Sequence, residues 1–131
     1  MNLLLDTHVW IWWINQDSML PAKAGQLIEE AETVAVSSIS CWEVRMLQQR
    51  QRIELSGSIE DWLEQALQPA GIHCLPISCE IADKSANLPQ HHRDPADRFI
   101  IASAVEYRYN LLSVDSKFDL YSELAGLLVS V

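Results

Sequence analysis

Five acidic residues, Asp6, Glu43, Asp94, Asp97 and Asp115, sit where carboxylates can do more than solubilise a surface. The densest stretch is Leu88-Pro89-Gln90-His91-His92-Arg93-Asp94-Pro95-Ala96-Asp97-Arg98-Phe99-Ile100-Ile101-Ala102. A positively charged loop ends at Asp94, Pro95 suits the first position of a helix, and an apolar run follows. Local chemistry alone accounts for both acids. Asp94 is an N-cap, Pro95 is at N1, and Asp97 at N3 favours the helix dipole. The others have similar structural readings. Asp6 can cap a helix from Thr7, Ser40-x-x-Glu43 is a capping box by pattern, and Asp115 in Val-Asp-Ser-Lys fits an Asx turn. Taken together they point elsewhere. Several carboxylates in one cleft raise each other's pKa. A hard divalent cation such as Mg²⁺ or Mn²⁺, which takes oxygen ligands, relieves that repulsion. Such ions activate water and stabilise the leaving oxygen of a phosphodiester.

The elements that would gather these acids follow from periodicity. Asn2 to Leu5 reads as a buried strand ending at Asp6, and Thr7 to Asn15 as a short helix. Pro21 to Glu32 has Ala24, Leu27, Ile28 and Ala31 at helical spacing. Thr33 to Val36 is a second strand, and Ser40 to Arg52 a helix with Trp42, Met46 and Gln49 on one side. Ser58 to Gln68 is amphipathic, stopped by Gly71, and Ile72 to Ile77 is a third strand. Cys79 to Ala86 and Pro95 to Tyr109 are helical, the latter capped by Asn110. Leu111 to Val114 is a strand ending at Asp115, and Leu127 to Val131 is the last. Short apolar strands alternating with helices imply an α/β fold. Its central parallel sheet would have about four to five strands flanked by helices. Ligand sites in such sheets lie beyond the carboxyl ends of the strands. Four unrelated caps at that one edge are the harder explanation.

Composition sets the frame. The 131 residues suffice for one domain, 1–131, with a substantial core. The longest wholly apolar run, Val9 to Ile14, is far too short to span a bilayer, and the N-terminus lacks a basic leader. The three cysteines, Cys41, Cys74 and Cys79, have no metal-type spacing and suit reduced thiols in a cytoplasm. A net charge of −9 argues against a broad basic surface for nucleic acid. It is compatible with an acidic metal site and with a basic partner segment.

The motifs Leu5-Asp6-Thr7-His8-Val9-Trp10, Ser38-x-Ser40-x-Trp42-Glu43, the stretch from Leu88 to Arg98, and Leu112-Ser113-Val114-Asp115 occur in a fixed order from residue 3 to about 121. In them the chain resembles the PIN-domain ribonucleases. The likeness is nearest to VapC toxins of bacterial toxin–antitoxin pairs that open with Asp-Thr-His. The resemblance implies a PIN-like fold and a Mg²⁺- or Mn²⁺-dependent endoribonuclease acting on RNA, often a structured RNA such as tRNA. It makes Asp6, Glu43, Asp97 and Asp115 the acidic site, with Asp94 an additional metal position ranked below them. Thr7 and Ser38 would shape the pocket. A cognate VapB-type antitoxin, a homodimer and a bacterial cytoplasmic setting also follow from the resemblance. Hydrolysis by water activated at Asp6, Glu43 and Asp97 would leave a 5′-phosphate and a 3′-hydroxyl.

Several residues stay open between roles. Arg98 orients a carboxylate or phosphate, or makes a plain surface ion pair. His8, His91 and His92 form no ligand pattern, and His92 and Arg93 are solvated loop residues or RNA contacts. Trp10, Trp12 and Trp13 cannot all face one core. Trp10 or Trp13 is expected inside and Trp12 partly exposed, which either marks a partner surface or reflects two-sided burial of tryptophans in a small protein. A phosphoacceptor receiver domain would need paired acids after the first strand and a strand-end lysine. A haloacid-dehalogenase-type phosphatase would need an aspartate where His8 stands. The remaining rival is a catalytically degenerate PIN-like protein-binding module, whose sign would be a lost acid.

Overall fold

The structure is a computed structural model that describes residues 1–131. Five strands form one wholly parallel sheet: β1 (Asn2–Leu5), β2 (Thr33–Ser37), β3 (Ile72–Leu75), β4 (Asn110–Ser113) and β5 (Leu128–Ser130). Their order across the sheet is β3-β2-β1-β4-β5. The chain winds outward from β1 in one direction through β2 and β3, then crosses back to place β4 on the other side. The switch point therefore lies between β1 and β4, where open parallel sheets bind their ligands.

Six helices cover the sheet: α1 (Thr7–Asn15), α2 (Ala22–Glu30), α3 (Ser38–Gln49), α4 (Ile59–Gln65), α5 (Cys79–Asn87) and α6 (Pro95–Tyr107). Side chains alternate between faces along a strand, and the core divides accordingly. Leu3, Leu5, Val36 and Leu112 pack with Val9 and Trp10 of α1, Ile28 of α2, Val44 of α3 and Trp62 of α4. Leu4, Ala35 and Leu111 face the other way, onto Ile81 of α5, Ile100 and Ile101 of α6, and Phe118 and Tyr121 beyond β4. Both faces are dry, which is why the strands read as continuous apolar runs. Trp10 is fully buried and donates its indole N–H to Ala66 O at 3.0 Å, while Trp12 and Trp13 are half-buried. No helix is long and apolar enough to cross a membrane.

The elements differ from expectation mostly at their ends. Helix α3 begins at Ser38 rather than Ser40, because Ser37 is the cap and accepts the Ile39 N–H at 3.2 Å. The Ser40-x-x-Glu43 capping box is thus absent. Helix α4 stops at Gln65, and a 3-10 turn over Gln68–Ala70 carries the chain to Gly71, whose φ of 73° is left-handed. Helix α6 ends in a left-handed Arg108, not at Asn110, which instead opens β4.

Candidate active site

The carboxyl ends of β1, β2 and β4 and the start of α6 enclose a cleft of about 810 Å³ whose lining includes Asp6, Glu43, Asp94, Asp97 and Asp115. Asp6 follows β1 directly, and its backbone N–H donates to Leu112 O on β4 at 3.0 Å. It does cap α1, accepting the Thr7 N–H on Oδ1 at 2.9 Å. Its other oxygen accepts the Ser113 hydroxyl at 2.9 Å, and Ser113 Oγ in turn accepts the Asp115 N–H at 3.0 Å. Capping and site membership are therefore compatible at this position. Glu43 lies on the cleft side of α3. The Thr7 hydroxyl donates to Glu43 Oε1 at 2.5 Å. A hydroxyl has one proton, so the 2.8 Å contact between Thr7 and Ser40 is donated by Ser40. This chain of hydroxyls fixes Glu43 against α1.

On the opposite side, Asp94 is exposed and caps α6 through the Ala96 N–H at 3.0 Å. Asp97 stands in the first turn of α6 with its side chain 21% exposed. Asp115 lies two residues beyond β4, accepts the Lys117 N–H on Oδ1 at 2.9 Å, and meets His92 Nε2 through Oδ2 at 2.9 Å. His92 is only 5% exposed. Its backbone N–H donates to the Tyr121 hydroxyl at 3.0 Å, and its Nδ1 lies 3.0 Å from the same oxygen. An ionised Asp115 can only accept, so Nε2–H donates to it, and Nδ1 shares the other hydrogen bond with the Tyr121 hydroxyl. The ring stacks on Tyr121 and packs on Phe118, with centroids 5.6 and 4.8 Å away. Nε2 is also 4.0 Å from Asp97 Oδ2, so His92 faces two of the acids.

The electrostatics of the group are those of uncompensated negative charge. Burial pushes the Asp97 carboxyl up to about 8, and the charges of Asp6, Glu43, Asp94 and Asp115 push it the same way. Burial also raises Asp6, against the opposing hydrogen bonds from Ser113 and Thr7. Glu43 is raised by burial and by the charges of Asp6 and Asp94, against the Thr7 hydrogen bond. Asp115 is the exception. Burial works to raise it, but the His92 hydrogen bond, the Lys117 N–H and the charges of both residues hold it below its ordinary value.

No three His, Cys, Asp or Glu side chains close on a single point. The acids line one cleft without converging on one point. The donor set nonetheless fits a hard divalent ion. It consists of carboxylate oxygens, and no arginine or lysine side chain is paired with Asp6, Glu43 or Asp97.

Other expectations need correction. Arg98 points away from the acids and donates to the Ala86 and Leu88 carbonyls at 2.9 and 3.2 Å, tying α6 to the end of α5. It neither orients a carboxylate nor pairs with one. Ser38 makes no side-chain hydrogen bond, and Ser40 and Ser113 do the positioning expected of it. His92 is not a solvated loop residue. His8 is exposed at the cleft against the Trp12 ring, 5.9 Å between centroids, and His91 is exposed with its ring edge-on to Tyr121. His92, Ser40, Ser113 and Tyr121 were the site residues that sequence reasoning did not assign. Ser113 carried the one available signal, as the last polar position of a strand inside the Leu112-to-Asp115 motif.

This geometry can be set beside known proteins. The model of the PIN domain matches residues 3–124. Ribonuclease VapC22 of Mycobacterium tuberculosis is 34% identical over 117 residues, 88% of each chain. The fold is similar to that in VapBC2 from Rickettsia felis bound to a promoter DNA fragment. There the TM-score is 0.72, the identity 18%, and the coverage 99% of this chain and 98% of that one. A toxin-antitoxin complex from Klebsiella pneumoniae gives a TM-score of 0.65 at 23% identity, covering 98% and 97% of the two chains. FitAcB from Neisseria gonorrhoeae gives 0.64 at 21%, covering 98% and 96%. A parallel five-stranded sheet with acids at its switch point, matched over most of its length by one domain family and by a relative 34% identical, leaves one assignment: the chain belongs to the PIN-domain family, in its VapC branch.

Proposed function

We propose that this protein is a Mg²⁺- or Mn²⁺-dependent endoribonuclease, the toxin of a VapBC-type toxin–antitoxin module. The observation that carries the reading is Asp97, a carboxyl held up to about 8 by burial and by four neighbouring acids in one cleft. Charge repulsion of that kind opposes folding and is retained where function needs it. The identity to a named ribonuclease over most of the chain supports the substrate class.

In this reading Asp6, Glu43, Asp97 and Asp115 are the metal-holding and catalytic acids, with Asp94 at the margin. The divalent ion, when bound, offsets the phosphate charge and acidifies water. The chain's own residues do the rest. Ser113 and the Thr7 N–H leave Asp6 with one fixed orientation. Thr7 and Ser40 do the same for Glu43, and His92 for Asp115. Asp6, Glu43 and Asp97 orient a water for in-line attack on phosphorus, and one of them accepts its proton. As the new P–O bond forms the P–O3′ bond breaks, and the 3′-oxygen takes a proton from solvent, giving a 5′-phosphate and a 3′-hydroxyl.

A cognate antitoxin, a homodimer, a structured RNA such as tRNA as target and a cytoplasmic site of action complete the proposal. The toxin–antitoxin complexes among the structural neighbours support the first of these.

The test is cleavage of an RNA pool by partner-free protein with Mg²⁺ or Mn²⁺, with the new ends identified. Cleavage leaving 5′-phosphate ends, lost in Asp97→Asn, is expected. A 2′,3′-cyclic phosphate would contradict the mechanism, because it requires the 2′-hydroxyl as nucleophile.

A further inference from the structure

The nine lysines and arginines of this acidic protein are unevenly placed. Arg45 and Lys84 are in ion pairs with Glu60 and Glu106, and Arg98 is turned onto backbone carbonyls. Of the six others, Arg50, Arg52 and Arg93 are exposed, make no ion pair and line the cleft that holds the carboxylates, while Lys23, Arg108 and Lys117 are exposed outside it. The same cleft carries Trp42, 52% exposed, immediately before Glu43 on α3. The buried indoles of Trp10 and Trp62 donate to Ala66 O and Asn15 Oδ1. The Trp42 indole has no such partner. From Trp42 the lining runs along α3 through Met46 to Arg50, roughly 12 Å along the axis.

An exposed aromatic beside unpaired guanidinium groups is the pairing that takes a base on its face and phosphates on its cations. We propose that Trp42, Arg50 and Arg52 form a nucleotide subsite that stacks one unpaired base of an RNA strand and holds its flanking phosphates beside the acids. The identity of the strand as RNA rests on the ribonuclease reading above. A base can reach an indole face only if it is out of a duplex, so the subsite selects single-stranded or splayed nucleotides. A basic partner segment fits this wall poorly, because it would meet three free arginines.

The test uses Asp97→Asn protein, in which turnover is blocked, and anisotropy of a short labelled single-stranded RNA and of the same strand in a duplex. Trp42→Ala is expected to weaken single-strand binding about tenfold. Trp42→Phe should restore most of it, with the duplex unaffected. Arg50→Gln and Arg52→Gln should each reduce the slope of log affinity on log salt by about 0.7. Single-strand binding unchanged in Trp42→Ala would overturn the subsite, as would equal losses for strand and duplex. Trp42-dependent binding of a lysine-rich peptide, with RNA indifferent to Trp42, would assign the face to a protein partner instead.

With Asp97 intact, Trp42→Ala should raise KM about tenfold and leave kcat close to native. Cleavage with unchanged KM defeats the subsite and leaves the ribonuclease reading standing. Trp42-dependent binding without any cleavage by native protein does the reverse.

Discussion

Asp97 is the residue at which structure and function pull apart. Its ordinary value is 3.8, and burial with four neighbouring acids takes it to about 8 in the folded state. Between those values the metal-free folded protein holds a proton that the unfolded chain has released. Stability therefore falls as pH rises through that window and levels off above it. The raised values of Asp6 and Glu43 act in the same direction, and the lowered value of Asp115 opposes them. Thermal melting in chelator between pH 5 and 8.5 should show a Tm that declines with pH, and Asp97→Asn should flatten the decline while raising Tm at the alkaline end. A Tm that climbs with pH would contradict this electrostatic account.

At this scale the placement of Asp6, Asp94, Asp97 and Asp115 at one cleft was legible, because each stands beside a recognisable strand end or helix start, whereas Glu43 lies a turn and a half inside α3. His92 was not legible. Its role depends on Tyr121 and Asp115, which reach it only through the fold 29 and 23 residues away in the chain.

At the scale of elements, helix α6 sets the position of Asp97, and Asp94 sets the start of α6. Asp94→Ala should cost about 1 kcal/mol of stability through loss of the cap. Asp94→Ser, which keeps a cap, should recover most of it and retain cleavage. A cleavage defect in Asp94→Ser equal to that of Asp97→Asn would move Asp94 into the essential set. The segment after β4 is tied to the loop before α6 by Tyr121 and His92. Tyr121→Phe removes the acceptor of a buried backbone N–H, which typically costs about 1–3 kcal/mol. It should also weaken metal affinity by freeing Asp115, and unchanged affinity would confine Tyr121 to a structural role.

The order and kind of elements could be read from apolar runs, since a sheet buried on both faces leaves strands without polar alternation. Their ends could not. Ser40-x-x-Glu43 imitates a capping box, but Ser37 supplies the cap, and this releases Glu43 to face the cleft. Arg108 takes the left-handed position that Asn110 would have suited, because Asn110 is drawn into pairing beside Leu3.

Across the whole molecule, the topology does the assembling. Switching from β1 outward to β2 and then back to β4 brings residues 6, 43, 97 and 115 to one cleft. The five acids of that cleft suit a divalent ion, while its three exposed arginines line the wall that carries Trp42. The central claim is that these acids form one metal site. Calorimetric titration of the partner-free protein with Mn²⁺, beside Glu43→Gln and Asp97→Asn, tests it most directly. The account predicts saturable binding that both substitutions weaken, from opposite sides of the cleft. Absence of binding at millimolar Mn²⁺, or binding indifferent to both substitutions, would contradict it and return the acids to caps and turns.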